Sequence, residues 1–267
     1  MLRALLIALV GCAGAEATTL QQPAPAKAVP SETVGLNPGE NMAFEVHLAG
    51  VLAGQAQLAV GEIGETDGHR AVVVKSRAET AGAAALVKHL VDEATTTIDM
   101  GTGRPLALDT LVESGSKRIT ATATFVGSVA TIKYQRSDDK SPTPRTAKID
   151  FGKVAVHDAH SAMAQLRGWK GTKGEMRTVY VVGGRRLWRI DLTYVGESTI
   201  GSALGNRRVV QYDGKSYRAR GNLTIEGDKP ARTFSVWLTD DADRVPLKVV
   251  AATELGDIVM DLTEYNR

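Results

Sequence analysis

Cysteine is almost missing from this chain: it occurs once, as Cys12, in 267 residues. The residues after it hold no thiol, which excludes a disulfide framework and a thiolate metal site among them. Aromatic residues make up only 5% of the chain, so a core has to be built mainly from small and branched side chains. No charge of one sign dominates, with 32 Lys and Arg against 30 Asp and Glu. No basic run exceeds two residues, whereas a nucleic-acid surface needs a clustered basic stripe to displace counterions. What remains is 43% hydrophobic and 23% charged, an ordinary globular composition.

The lone cysteine has to be explained by its position. Met1-Leu2-Arg3 leads into the apolar run Ala4 to Val10, and Gly11-Cys12-Ala13 follow. A short basic segment before about seven apolar residues is a signal-peptide pattern, far too short to span a bilayer. Leu9-Val10-Gly11-Cys12 resembles the bacterial lipobox, which implies cleavage before Cys12 and acylation of its sulfur and new amine. Several acyl chains matter, because one alone gives only marginal membrane binding. The alternative is ordinary cleavage after Ala15 or Ala17, leaving a soluble periplasmic chain. The reading adopted is a lipoprotein signal peptide over 1–11 and a membrane anchor at Cys12. With Ala13 and no Asp after the cysteine, the expected address is the periplasmic face of the outer membrane. Residues 12–40 form a Pro- and Ala-rich tether, with Pro23, Pro25, Pro30 and Pro38 and too little apolar surface to fold.

From Asn41 the pattern turns to period two. Met42, Phe44, Val46 and Leu48 alternate with Ala43, Glu45 and His47, as in a half-buried strand. Similar alternation, punctuated by turns such as Thr66-Asp67-Gly68, continues to the C-terminus. Two segments break it. Ala83, Leu86, Val87 and Leu90 predict a short amphipathic helix within Ala81 to Val91, with Lys88 and His89 outward. His157 to Trp169 is the second candidate, capped by Asp158. About fourteen strands and two short helices predict a mainly β fold over 41–267. Without βα alternation, a parallel doubly wound sheet is excluded. A long antiparallel meander has to curl, giving a strongly curved sheet, an incomplete barrel, or two half-barrels joined near 138–164.

Three motifs carry a family resemblance. Phe44-Glu45-Val46-His47-Leu48-Ala49-Gly50-Val51-Leu52-Ala53-Gly54-Gln55-Ala56 is an opening hairpin. Asp158, Ser161, Ala162, Leu166 and Arg167 mark a central helix. Trp237-Leu238-Thr239-Asp240-Asp241-Ala242-Asp243-Arg244-Val245-Pro246-Leu247 is a closing motif. Together, over roughly 40 to 264, they resemble a family of bacterial envelope proteins, domain of unknown function 3108. The resemblance implies an exported, mainly β protein and supplies no catalytic residues.

Candidate sites are few. Asp240, Asp241 and Asp243 beside Arg244 suggest a Ca²⁺ loop, but Arg244 stands where an EF-hand glycine would be. They read better as a turn in which Asp side chains cap backbone amides and one pairs with Arg244. His157 and His160 at the start of a helix could ligate a metal, yet His47, His69 and His89 lie apart from them and Asp158 suits a cap. Ser161 has no nucleophile elbow. Asp158, Ser161 and Arg167 therefore read as a structural hub fixing the helix to the sheet. Trp169, Trp188 and Trp237 are candidates for ligand contact, although core is the commoner fate of such residues. No catalytic residue, metal or cofactor is assigned.

The functional expectation is a non-enzymatic, lipid-anchored envelope protein that binds an apolar or amphipathic ligand or supports envelope assembly. Strands such as Thr120-Ala121-Thr122-Ala123-Thr124 leave volume where larger side chains would fill it. A concave apolar groove or cavity of roughly several hundred Å³ is expected. The alternative is an interaction module offering an edge strand to an envelope protein partner. A hydrolase or metal enzyme ranks third.

Overall fold

The computed structural model describes residues 34–267 other than 140, 142, 185, 228 and 229. The signal peptide, Cys12 and most of the tether lie outside the described residues. Eight strands form the first half: β1 (Asn41–Leu48), β2 (Val51–Thr66), β3 (His69–Thr80), β4 (Leu90–Asp99), β5 (Pro105–Ser114), β6 (Lys117–Val126), β7 (Val129–Arg136) and β8 (Arg145–Asp150). The second half holds β9 (Val156–His157), β10 (Met176–Gly183), β11 (Arg186–Ser202), β12 (Gly205–Ala219), β13 (Arg232–Thr239), β14 (Pro246–Ala251) and β15 (Ile258–Asn266). Two helices interrupt them, α1 (Gly82–Val87) between β3 and β4 and α2 (Ala159–Gly168) between β9 and β10.

All fifteen strands belong to one sheet, ordered β8-β7-β6-β5-β4-β3-β2-β1-β15-β14-β13-β12-β11-β10-β9. Two meanders thus run outward from the central β1–β15 pair, antiparallel throughout except at β9. The predicted alternation is visible in β1, where Met42, Phe44 and Val46 are buried and their neighbours are not. Asp67 and Gly68, with φ of 50° and 77°, close the β2–β3 hairpin at Thr66↔His69. Left-handed conformation at both residues matches the right-handed strand twist.

Two local expectations change. One break is absent: β12 runs straight through Gly214, which stays in register with Leu192 and Phe234 on either side. A Cβ at Gly214 would lie 2.1 Å from the Phe234 ring; the ring covers the strand backbone and replaces the missing side chain. The first helix is only six residues long and buries none of them. Leu90, expected on its apolar face, instead begins β4 and is buried there.

A sheet this wide has to curl. Residues of β1 to β4, β14 and β15 pack with Ala164 of α2 in one cluster. Leu166 and Trp169 meet Leu192, Tyr212, Phe234 and Leu238 in a second. The third joins Leu108, Ala123 and Ile132 of β5–β7 to Val182, Leu187 and Ala219 of β10–β12. These strands lie toward opposite ends of the sheet, so the curl is closed by side-chain packing and not by a hydrogen-bonded seam. Leu187 and Leu192 are five residues apart and therefore point to opposite faces of β11. Both are buried, so side chains pack against both faces of β11 at these positions. Large buried side chains such as Leu166 contribute about 1.5–3 kcal/mol each, which makes α2 the plug of the curl.

Candidate functional site

Helix α2 begins in a buried polar network. Asp158 is its N-cap, accepting from the amides of His160 and Ser161, while Ser161 Oγ accepts from the Asp158 amide. This reciprocal capping satisfies amides that would otherwise be orphaned at the helix start. Thr96 of β4 donates its one hydroxyl hydrogen to Asp158 Oδ2 at 2.5 Å. His160 Nδ1, 2.7 Å from the same Thr96 oxygen, must then carry a hydrogen and donate it. That leaves Nε2 as the acceptor for Ser76 Oγ of β3 at 2.8 Å. Ser161 Oγ donates to Asp158 Oδ1 at 2.6 Å, so His157 Nδ1, 3.2 Å from Ser161 Oγ, is likewise a donor. Donors from β4 and the helix thus converge on one carboxylate.

The chemistry of the network is that of a clamp. Nucleophilic catalysis needs an imidazole that accepts the serine proton, whereas Ser161 gives its proton to Asp158 and receives one from His157. Ser161 is also fully buried. Burial pushes the His157 pKa down to about 4, opposed by the Asp158 charge, and lowers that of His160 in the same way. Both rings are neutral near pH 7. Among the described residues, no group of three His, Cys, Asp or Glu side chains could hold a metal ion.

Arg167, in the last turn of α2, forms a second clamp. Its guanidinium makes a two-pronged pair with Glu40, through Nη1 to Oε1 and through Nη2 to Oε2 at 2.8 Å. Nη2 also donates to the Asp243 carbonyl at 2.7 Å. Arg167 therefore ties the helix to the start of β1 and to the β13–β14 turn. In that turn Asp241 Oδ1 accepts from Thr239 Oγ1 and from the amides of Asp243 and Arg244. Asp240 pairs with Arg208 and Asp243 with Arg267. The Arg244 guanidinium lies instead beside the hydroxyl of Tyr212, whose pKa burial raises to about 12.

The three tryptophans are dispersed. Trp169 is buried, stacks near Tyr212 at 5.1 Å between ring centres, and donates from Nε1 to Glu175. Trp188 is buried with its indole N–H unpartnered. Trp237 is partly buried against the first cluster. Two spaces inside the curl lined by described residues are small. One of about 20 Å³ adjoins Ser76 and His160, and one of about 50 Å³ adjoins His157 and Trp169.

A much larger concavity lies on the face of β10–β14 turned away from α2. It has a volume of about 710 Å³ and borders none of the tryptophans. Two rungs of aligned residues build it: Met176, Thr193, Asp213, Ser235 and Val250, then Thr178, Asp191, Lys215 and Thr233. Arg189 and Tyr217 form the next rung. At its base Arg189 Nε donates to Asp191 Oδ1 at 2.9 Å, with both side chains only 10% and 12% exposed. Thr178 Oγ1 donates to the same oxygen at 2.6 Å. The groove has the volume expected from the sequence, but it is outside the curl and mixed in polarity.

Sequence reasoning placed Asp158, Ser161 and Arg167 at the helix. It missed Glu40, Ser76 and Thr96, which no local motif marks, and the groove residues Arg189 and Asp191. Charged residues at alternate strand positions look like any solvated face; only the register shows that these line one groove.

Comparison with known proteins agrees with the architecture. The family model described as "Protein of unknown function (DUF3108)" matches residues 43–263. Among curated proteins, none matches the chain. A β-barrel-like protein of the DUF1849 family from Brucella abortus is similar in fold, with a TM-score of 0.56 at 9% identity, covering 85% of this chain and 96% of that one. A candidate exported protein with a YmcC-like fold from Bacteroides fragilis matches at a TM-score of 0.39 and 8% identity, covering 89% and 100%. A candidate lipoprotein from Parabacteroides distasonis matches at 0.36 and 8% identity, covering 88% and 99%.

Proposed function

The chain belongs to the DUF3108 family, and we propose that it is an exported, lipid-anchored envelope protein that binds an amphipathic ligand in the groove over β10–β14. The observation that carries this reading is the groove itself. Its volume of about 710 Å³ falls in the usual range for small-ligand sites. Its lining sets Val250, Ala252 and Met176 beside the nearly buried Arg189–Asp191 pair. Apolar wall next to fixed charge suits a molecule with an apolar body and a polar end.

The address rests on Leu9-Val10-Gly11-Cys12, with attachment at Cys12 and the periplasmic face of the outer membrane as the destination. The edge-strand alternative gains less support. Edge strand β8 carries Arg145, Lys148 and Asp150, the charged dress by which edges discourage pairing.

Native mass spectrometry of protein purified from bacterial envelopes tests the ligand. The expected spectrum contains an adduct in the lipid mass range that organic extraction removes. Ser235→Trp, which places an indole in the groove, removes the adduct while leaving the melting temperature within a few degrees. Adduct-free spectra of the unsubstituted protein overturn the reading, as does an adduct that Ser235→Trp leaves intact.

A further inference from the structure

Four large aliphatic side chains stand open at one end of the sheet. Leu86 and Val87 are 90% and 89% exposed, Val51 63% and Leu255 57%. Backbone contacts bring their turns side by side. The Ala49 amide donates to the Asp257 carbonyl at 2.9 Å, and a Cβ at Gly256 would lie 2.9 Å from that of Ala49. The Ala81 amide donates to the Ala53 carbonyl at 3.0 Å, setting α1 against β2 beside Val51. Helix α1, Gly-Ala-Ala-Ala-Leu-Val, is apolar in every residue and buries none. Scattered exposed aliphatics are ordinary, but an apolar helix with none of its residues buried, next to two more exposed aliphatics, is a surface built for something else.

We propose that this end of the sheet inserts into the headgroup layer of a lipid bilayer. Four side chains on turns and a single short helix form the cap. A stable protein interface uses about 20–30 residues a side, so the cap is too small to hold a second copy or another folded protein. A bilayer needs no matching contour. The helix is about 9 Å long, comparable with the roughly 5–10 Å to which interfacial helices sink. Lys88 and His89 follow Val87 directly. The Gly115 amide donates to the His89 carbonyl at 3.1 Å, which brings the β5–β6 turn and Lys117 to the same rim. Glu254 and Asp257 flank Leu255, so attraction to anionic headgroups belongs to the α1 side.

The tether does not prevent this contact. Cys12 precedes Val34 by 22 residues, about 75 Å when fully extended. The cap lies one β1 length from the start of that strand, about 26 Å.

Vesicle sedimentation tests the proposal with residues 12–267 carrying Cys12→Ser, which retain every described residue without acylation. Vesicles of phosphatidylethanolamine and phosphatidylglycerol in a 3:1 ratio serve as the probe. The chain should sediment with them, and Leu86→Asp with Val87→Asp should lower partitioning at least tenfold. Val51→Asp, on the neighbouring turn, should lower it as well. Val126→Asp, at a valine 76% exposed in the β6–β7 turn at the other end, should leave it unchanged, as should the groove substitution Ser235→Trp. The proposal is overturned if the chain stays in the supernatant, or if Val126→Asp lowers binding as much as the α1 pair. It is also overturned if the α1 pair dissolves a dimer in solution without altering vesicle binding.

Discussion

Removing the Arg167 side chain should destabilise the fold more than almost any other single polar change. Arg167 and Glu40 have side chains 2% and 0% exposed, and their pairing holds the plug helix to the central strand of the sheet. In Arg167→Met, Glu40 becomes a buried carboxylate left, among the described residues, with Asn37 and Tyr265. Breaking a buried pair in this way costs about 3–5 kcal/mol. The Asp243 carbonyl loses its donor too, worth about 1 kcal/mol. Glu40→Leu should cost a similar amount, since it strands the guanidinium. The double variant Glu40→Leu with Arg167→Met removes both charges and relieves Arg167 Nε, which has no partner now. Its cost should therefore fall at least 2 kcal/mol below the sum of the singles. Urea unfolding followed by circular dichroism measures this. With a slope of about 3 kcal/mol/M for a domain of this size, each single variant should shift the midpoint by about 1 M or more. Singles that cost under about 1 kcal/mol, or losses that simply add, would refute the clamp.

The buried histidines predict acid sensitivity. His157 holds a pKa of about 4 when folded against about 6.5 when unfolded, so the unfolded chain takes up the proton first as pH falls. The stability is complete above pH 6.5 and is lost progressively down to pH 4, by up to about 3 kcal/mol from His157, with His160 acting in the same direction; equal urea midpoints at pH 7.5 and 4.5 would contradict this. Gly214→Ala should destabilise by about 1–3 kcal/mol through overpacking against the Phe234 ring, and Phe234→Leu in the same chain should recover part of the loss in thermal melts; an unchanged melting temperature for Gly214→Ala refutes the packing argument. Millimolar Ca²⁺ should leave the melting temperature nearly constant, because Asp241 is occupied by Thr239 and two amides; a saturable rise of many degrees would mean a ligand bound to the native state. Cys12→Ser should abolish incorporation of labelled fatty acid, and a native chain that takes up no label removes the anchor reading.

Much of this architecture was already written locally. Period-two alternation from Met42 onward and turns such as Asp67-Gly68 are properties of a few adjacent residues, and they were enough to specify a curved antiparallel sheet. Asp158, three residues before Ser161, announced a helix start in the same way. Nothing local distinguished Leu86 and Val87, which look like a helix's buried face, from residues that meet no partner. The sequence spacing suits either outcome, and only the tertiary arrangement decides between them. Glu40 is one acid among many until the curl brings it to Arg167, 127 positions away. Ser76 and Thr96 become hydrogen-bond partners of α2 only because β3 and β4 pair in one register. The same holds for volume: small side chains along the strands implied unfilled space, but α2 and the overlap of β5–β7 with β10–β12 leave spaces of only about 20 and 50 Å³ around His160 and Trp169, and the open groove lies outside. The sequence by itself determined which elements form, because backbone conformation and alternation are short-range. The tertiary structure alone decided which faces meet and which stay empty, because those depend on how far a sheet of fifteen strands curls before its two ends pack together.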